Sequence, residues 1–344
     1  MKLGLIARCD DTGLGNQTKE IAKMLNPDHI LLIDSTPFHH NNVQHTDWYD
    51  QWDTQLVHGL PDNKVCLDFI KKVDVVFSCE TFYNNRFVSI ARAKNKKTIL
   101  QYNYEFLDYL QNVSLELPDL LLSPSPWKLN DVVGISQGKC RVDFLPPPSD
   151  HAIFKRNAEE NTKESKKILH VAGKPAANDR NGTESVLKML EYSKESYEIV
   201  IKSQYDLNFQ SNDPRVSFIV DNTKKREDLY YGFDAMILPR RYAGLCLPMN
   251  EALLSGLPVF MTDISPNDYF LPPEWLASSQ KIGELMTRTM LDIYEADPVE
   301  LASKVDRYMA NTKEDEKEKA FNIGYENFSA EDLTEDYEQL INSF

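Results

Sequence analysis

Twice along this chain, short apolar runs alternate with stretches of helical period, and the two series are separated by Leu145-Pro146-Pro147-Pro148-Ser149-Asp150. Such alternation is the pattern of parallel sheets built from βαβ units, because two parallel strands need a crossover long enough to hold a helix. In the first series the spacing predicts strands at 2–7, 29–33, 73–78, 97–102, 119–123 and 141–145. In the second it predicts strands at 167–172, 197–201, 216–220, 234–238 and 257–261. The prolines end the first series, since they supply no donor to a ladder. At 344 residues the chain also exceeds the usual span of one hydrophobic core. The expectation is an α/β protein of two Rossmann-like domains, 1–150 and 151–320. Past residue 280 the pattern reads as helical, and 321–344 holds a last helix with Leu333, Tyr337, Leu340 and Ile341 on one face.

Several function classes are disfavoured at once. No apolar run approaches the roughly 18 residues that span a bilayer. The opening Met1-Lys2-Leu3-Gly4-Leu5-Ile6-Ala7-Arg8 is too short for a signal peptide and reads as a strand. Five scattered cysteines without a Cys-x-x-Cys pair suit a reducing compartment. The expectation is thus a cytoplasmic protein with no membrane partner. A net charge of −15 repels nucleic acid at long range. The basic cluster of the first half, Arg92, Lys94, Lys96 and Lys97, reads most simply as a solvated helix end and turn. His39, His40 and His45 near Asp47 and Asp50 match no standard ligand spacing, so the expected metal site is none.

Chemistry concentrates at strand ends. After the first strand, Gly13-Leu14-Gly15 reads as a turn into Asn16, the expected N-cap of a helix through Ile21 and Leu25. A Gly-x-Gly-x-x-Gly fingerprint would need a third glycine at position 18, which is Thr18. Glu80 and Asn103 stand just past strand ends, as a base, a sugar ligand or simply a cap. The densest segment runs from Leu238 to Val259: a strand end, a loop bearing Gly244, and a helix beginning near Pro248. Free amides and the positive dipole end of such a helix suit an anion, and a phosphate is the natural guest. Glu251, one turn in, is either an acceptor for two neighbouring hydroxyls or a favourable N-terminal charge.

That segment resembles the signature of family 4 retaining glycosyltransferases of the glycosyltransferase-B fold, Pro-Ser-x-x-Glu-Gly-Phe-Gly-Leu-Pro-x-x-Glu-Ala followed by Gly-x-Pro-Val. Pro239, Gly244, Leu247, Pro248, Glu251, Ala252, Gly256, Pro258 and Val259 match without a gap, while Ala243 replaces the first glutamate and Cys246 the second glycine. The resemblance implies two Rossmann-like domains facing across a cleft and sugar transfer, with retention, from a nucleotide-diphosphate sugar to an acceptor hydroxyl. That sugar is a co-substrate; no other cofactor and no metal are implied. Glu251 would bind the ribose, and the amides around Gly244, Leu245 and Cys246 the diphosphate. Val171-Ala172-Gly173-Lys174 with Arg180-Asn181-Gly182-Thr183 resembles the family's Gly-Arg and Lys-Gly pair, with the basic types exchanged. Lys174 and Arg180 would stabilise charge growing on the departing diphosphate. Gly13 and Gly15 resemble the glycine loop that faces the donor. The final helix resembles a crossover back to the first domain.

Phage-encoded members look similar at Ala7-Arg8-Cys9-Asp10-Asp11-Thr12-Gly13-Leu14-Gly15 and at Leu100-Gln101-Tyr102-Asn103-Tyr104-Glu105. Some of these decorate hydroxymethylated pyrimidines, which brings hydroxymethylated DNA among the acceptors and the host cytoplasm among the locations. Two alternatives stay open: a nucleotide-sugar epimerase of the same fold, and a non-catalytic nucleotide-sugar-binding protein, suggested by Ala243.

Overall fold

The computed structural model describes residues 1–40, 42–107, 109, 115–161, 165–173, 179–221, 223, 225–311 and 313–344. The chain divides into two compact units. The first comprises Met1–Ser149, Thr287–Thr289 and Ala330–Phe344, and the second Asp150–Met286 and Met290–Ser329.

The first unit runs β1 (Leu3–Arg8), α1 (Gly13–Leu25), β2 (His29–Asp34), β3 (Thr54–His58), α2 (Asn63–Ile70), β4 (Val75–Cys79), α3 (Phe87–Arg92), β5 (Lys97–Gln101), β6 (Leu120–Ser123), α4 (Leu129–Ser136) and β7 (Arg141–Phe144). Its strands form one parallel sheet in the order β3-β2-β1-β4-β5-β6-β7. Central strands such as β4 are buried along their whole length, as a sheet covered on both faces requires. The chain winds outward from β1 and then returns to β1's other side with β4. That reversal opens a crevice at the carboxyl ends of β1 and β4.

The second unit runs α5 (His151–Glu160), β8 (Lys167–Val171), α6 (Thr183–Met189), β9 (Glu198–Ser203), β10 (Val216–Val220), β11 (Ala235–Leu238), α7 (Leu247–Leu254), β12 (Val259–Thr262), α8 (Asn267–Phe270), β13 (Leu276–Ala277), β14 (Ser279–Met286), β15 (Met290–Ala296), α9 (Pro298–Ala310) and α10 (Glu314–Phe328). Here the parallel order is β10-β9-β8-β11-β12-β13, so the same reversal falls between β8 and β11. The last helix, α11 (Ala330–Asn342), belongs to the first unit. Its Leu333, Tyr337, Leu340 and Ile341 share a core with Ile21, Ala22 and Phe77. The Tyr337 hydroxyl donates to the Pro146 carbonyl at 2.9 Å and accepts from the Gln101 amide at 2.8 Å.

Three local expectations are corrected. α1 is capped by Thr12 and not by Asn16: the Thr12 hydroxyl oxygen accepts from the Gly15 N–H at 3.3 Å, which pulls Gly13 and Gly15 into the first turn. The segment after 280 is not helical throughout. β14 and β15 pair as an antiparallel hairpin, with Lys281 bonded across it to Asp292 at 2.7 Å. Gly283, Leu285 and Leu291 alternate with exposed neighbours along it, a period of two masked by charges at Lys281, Glu284 and Asp292. β3 was not expected at all; it is an edge strand with no fully buried residue, so it carries no continuous apolar run.

Candidate functional site

In the second unit, the two strand ends that flank the crevice are tied together from below. His170 on β8 is fully buried; its Nδ1–H donates to the Ile237 carbonyl on β11 at 2.8 Å, and its Nε2 accepts from the Thr183 hydroxyl at the start of α6 at 2.9 Å. Burial lowers its pKa, opposed by that backbone bond and by Asp179, so the ring is a neutral strut. Asp179 caps α6, accepting from the Thr183 N–H at 2.9 Å and the Glu184 N–H at 2.8 Å. Gly182 adopts φ +74° beside Pro239, where an added Cβ would lie 2.1 Å from that residue's carbonyl oxygen. Only glycine fits where the two loops meet.

The loop from 240 to 246 sits on two guanidinium groups. Arg180 donates to the Ala243 carbonyl at 2.9 Å and stacks over the Tyr242 ring at 4.7 Å. Arg240, buried, donates to the carbonyls of Gly244 at 3.3 Å and Leu245 at 3.2 Å. The carbonyls of three successive residues are thereby fixed. Cys246 is the N-cap of α7 but makes no side-chain capping bond, and Pro248 lies in the first turn. Pro248 has no N–H and the Met249 N–H is taken by the Cys246 carbonyl at 3.0 Å, so what this helix start offers an anion is the Leu247 N–H and the positive end of the dipole. Gly244, Leu245, Cys246 and Arg180 thus lie together at the crevice, while Lys174 lies outside the described residues. Arg240 was not singled out from the sequence, although a cation directly after a strand-ending proline in a glycine-bearing loop was the available signal.

Glu251 is buried on α7 and already has partners. Arg226 donates to its Oε1 with Nε at 2.7 Å and with a second guanidinium nitrogen, and the Tyr230 hydroxyl donates to its Oε2 at 2.8 Å. The carboxylate therefore ties α7 to the turn 226–230. It still has lone-pair capacity, since a carboxylate offers about four acceptor sites. Arg226 and Tyr230 were not picked out in the sequence, where they stand 25 and 21 residues before their partner.

In the first unit, Gly15 has a packing reason to be glycine: a Cβ there would fall 1.8 Å from the Asp10 carbonyl oxygen. Gly13 begins α1 just past β1. Glu80 follows β4 and Asn103 follows β5; burial raises the Glu80 carboxyl above its ordinary value, and Asn103 opposes that rise. The basic cluster is largely compensated: Arg92 pairs with Glu116, Lys96 with Asp74 at 2.8 Å, and Lys97 with Asp119 at 3.0 Å. Among the described residues no group of three or more His, Cys, Asp or Glu could hold a metal ion, and no helix is long and apolar enough to cross a membrane.

No protein-family model matches the chain, and no curated protein does. Solved structures do match it. HepE of Anabaena in complex with UDP and glucose has a TM-score of 0.69 at 10% identity and covers 100% of both chains. Sucrose-phosphate synthase of Thermosynechococcus elongatus has a TM-score of 0.68 at 12% identity, covering 100% of this chain and 98% of that one. A glycosyltransferase of Rickettsia africae has a TM-score of 0.67 at 12% identity, covering 99% and 98%. At such identities the likeness is one of fold: two Rossmann-like parallel-sheet domains of the glycosyltransferase-B type.

Proposed function

We propose that the protein is a glycosyltransferase that takes a sugar from a nucleoside-diphosphate sugar held by the second unit and passes it to an acceptor hydroxyl. The observation that carries this reading is the uncapped start of α7 beneath a loop held by Arg180 and Arg240 at the β8/β11 crevice. Solved structures that share the fold hold UDP, UDP with glucose and UDP-glucose, which supports a diphosphate as the guest.

The chemistry asked of this site is modest in kind and large in energy. As the bond from the anomeric carbon to the phosphate oxygen breaks, negative charge grows on the diphosphate. Oriented donors in a water-poor site stabilise that charge by several kcal/mol. The Leu247 N–H at the α7 start and the Arg180 guanidinium supply such donors, with Lys174 as the second cation. Glu251 keeps acceptor capacity for a ribose hydroxyl while Arg226 and Tyr230 fix its direction. The family resemblance gives the stereochemical course as retention, with no metal required.

The test is a panel of nucleotide sugars incubated with candidate acceptors and followed for nucleoside diphosphate, with the product anomer read by proton NMR. Release of nucleoside diphosphate with a glycoside of retained configuration is expected. A new nucleotide-sugar epimer from donor alone would identify an epimerase, and tight nucleotide binding without any turnover a binding protein.

A further inference from the structure

The second sheet ends on β10, which pairs with β9 alone. Along a strand the backbone N–H and C=O of successive residues face opposite sides. The Ile199 N–H on β9 donates to the Arg215 carbonyl at 2.8 Å, and the Asp221 N–H donates to the Ser203 carbonyl on β9 at 3.0 Å. Odd-numbered residues of this segment therefore turn their backbone groups to β9, and Val216, Phe218 and Val220 turn theirs to the outer edge. The Val216 N–H is taken within the chain by the Asp213 carbonyl at 3.1 Å. The outward donors are thus the amides of Phe218 and Val220, and the outward acceptors the carbonyls of Val216, Phe218 and Val220.

An outer edge of this kind is a template for another strand, and soluble proteins blunt it with charge, proline, bulges or short length. The other edges of the two parallel sheets are less inviting. β13 has two residues, β7 carries Arg141 and Asp143, and three of the five residues of β3 are Thr, Gln and His. β10 reads Val216-Ser217-Phe218-Ile219-Val220, with no charge, proline or glycine. Its Ile219 and Val220 are 42% and 49% exposed.

The occupant that fits this edge is the same strand from a second copy. About a two-fold axis at Phe218, an antiparallel pairing sets Phe218 opposite Phe218, Val216 opposite Val220, and Ser217 opposite Ile219. It also sets Arg215 opposite Asp221 at both ends, and opposite charges facing each other across strands are favourable. Arg215 holds Asp213 at 2.7 Å within the chain, and its five N–H donors leave capacity for a second carboxylate. The outward groups match in this register as well: each Phe218 N–H meets the Phe218 carbonyl of the other copy, and each Val220 N–H meets the other copy's Val216 carbonyl. Centring the pair on Ser217 instead would set Asp213 against Asp221. The geometry points to a two-fold homodimer in which β10 of one copy pairs antiparallel with β10 of another and joins their six-stranded sheets edge to edge. This inference does not depend on the transferase reading.

Sedimentation velocity of the purified chain over a range of concentrations tests it. A reversible dimer with a Kd of roughly 1–100 µM is expected, as suits a small interface, and a chain that stays monomeric above that range overturns the proposal. Val220→Pro removes an outward N–H and leaves the ladder to β9 intact. It should melt close to wild type and weaken the dimer at least about tenfold. Ile219→Pro, whose N–H faces β9, should instead lower Tm. Asp221→Arg sets like charges opposite each other and should weaken the dimer at least about threefold. Amide exchange read by NMR gives the residue pattern: Ser217 and Ile219 protected at every concentration, Phe218 and Val220 protected only in concentrated solution. A dimer indifferent to both Val220→Pro and Asp221→Arg, or slow exchange at Phe218 and Val220 in the dilute monomer, overturns the pairing. Should Val220→Pro not fold, Asp221→Arg and the exchange pattern of the wild type decide between the same two outcomes.

Discussion

Replacing Glu251 with alanine removes the one carboxylate that accepts from both Arg226 and Tyr230. What remains is a guanidinium whose side chain is 19% exposed and a phenol that is 1% exposed. Removing one partner of a buried ion pair costs about 3–5 kcal/mol, and an orphaned buried hydroxyl about 1–3 kcal/mol. Water reaches Arg226 in part, which returns some of the first figure. The expected net loss is about 3–4 kcal/mol. For a unit of this size each kcal/mol moves the midpoint by about 2–4 °C, so Tm should fall by roughly 6–16 °C. Urea and thermal unfolding of Glu251→Ala, Arg226→Met and the double variant measure it. The double variant should be less destabilised than the sum of the singles, by about 1–3 kcal/mol. A Glu251→Ala protein within about 1 kcal/mol of wild type would refute the argument, since the pair would then behave as an exposed one. The same reasoning makes Glu251→Gln, which keeps the shape, the better probe of the ribose contact. Its nucleotide affinity should weaken by about 1.5–3 kcal/mol if a hydroxyl bonds there.

Arg180→Met should lower kcat at least about a hundredfold with folding intact; a change within about threefold in a variant that melts like wild type would remove Arg180 from the reaction. Gly182→Ala places a Cβ against the Pro239 carbonyl at a left-handed φ, and should cost about 2–4 kcal/mol in urea unfolding. His170 is held neutral, its pKa lowered from 6.5. Its contribution is therefore complete above that value and is lost as pH falls below it, so stability should decline as pH drops below about 6.5 and His170→Gln should flatten the decline. Arg92, Lys96 and Lys97 are compensated by carboxylates, so neutralising all three should leave retention on a DNA column unchanged; a marked loss of retention would reinstate a nucleic-acid surface.

Much of the fold was legible because its central strands are covered on both faces and so must be apolar along their length. All eleven expected strands form within about two residues of their expected bounds. β3 escaped because an edge strand with one partner needs no buried run. β14 and β15 escaped because their alternation carries charges at Lys281, Glu284 and Asp292, which read as helix-surface residues. The charge-rich stretch before the last helix turned out to begin α10, with Lys313 and Lys317 sunk onto buried Asp234. No local pattern signals an ion pair whose members are 83 residues apart. The candidate site divides the same way. Gly244 and Glu251 stood out by their place after a strand and in a helix start, whereas Arg226 and Tyr230 take their meaning from partners that only the folded sheet brings near.

The transfer proposed for the second unit requires a nucleoside diphosphate to bind over the loop 240–246. A crystal structure of the protein grown with a nucleoside diphosphate tests it most directly. The diphosphate should lie within hydrogen-bond reach of Arg180 and of the Leu247 N–H at the start of α7, with the ribose toward Glu251. A nucleotide bound elsewhere on the chain, or a site that stays empty at saturating nucleotide, would contradict it.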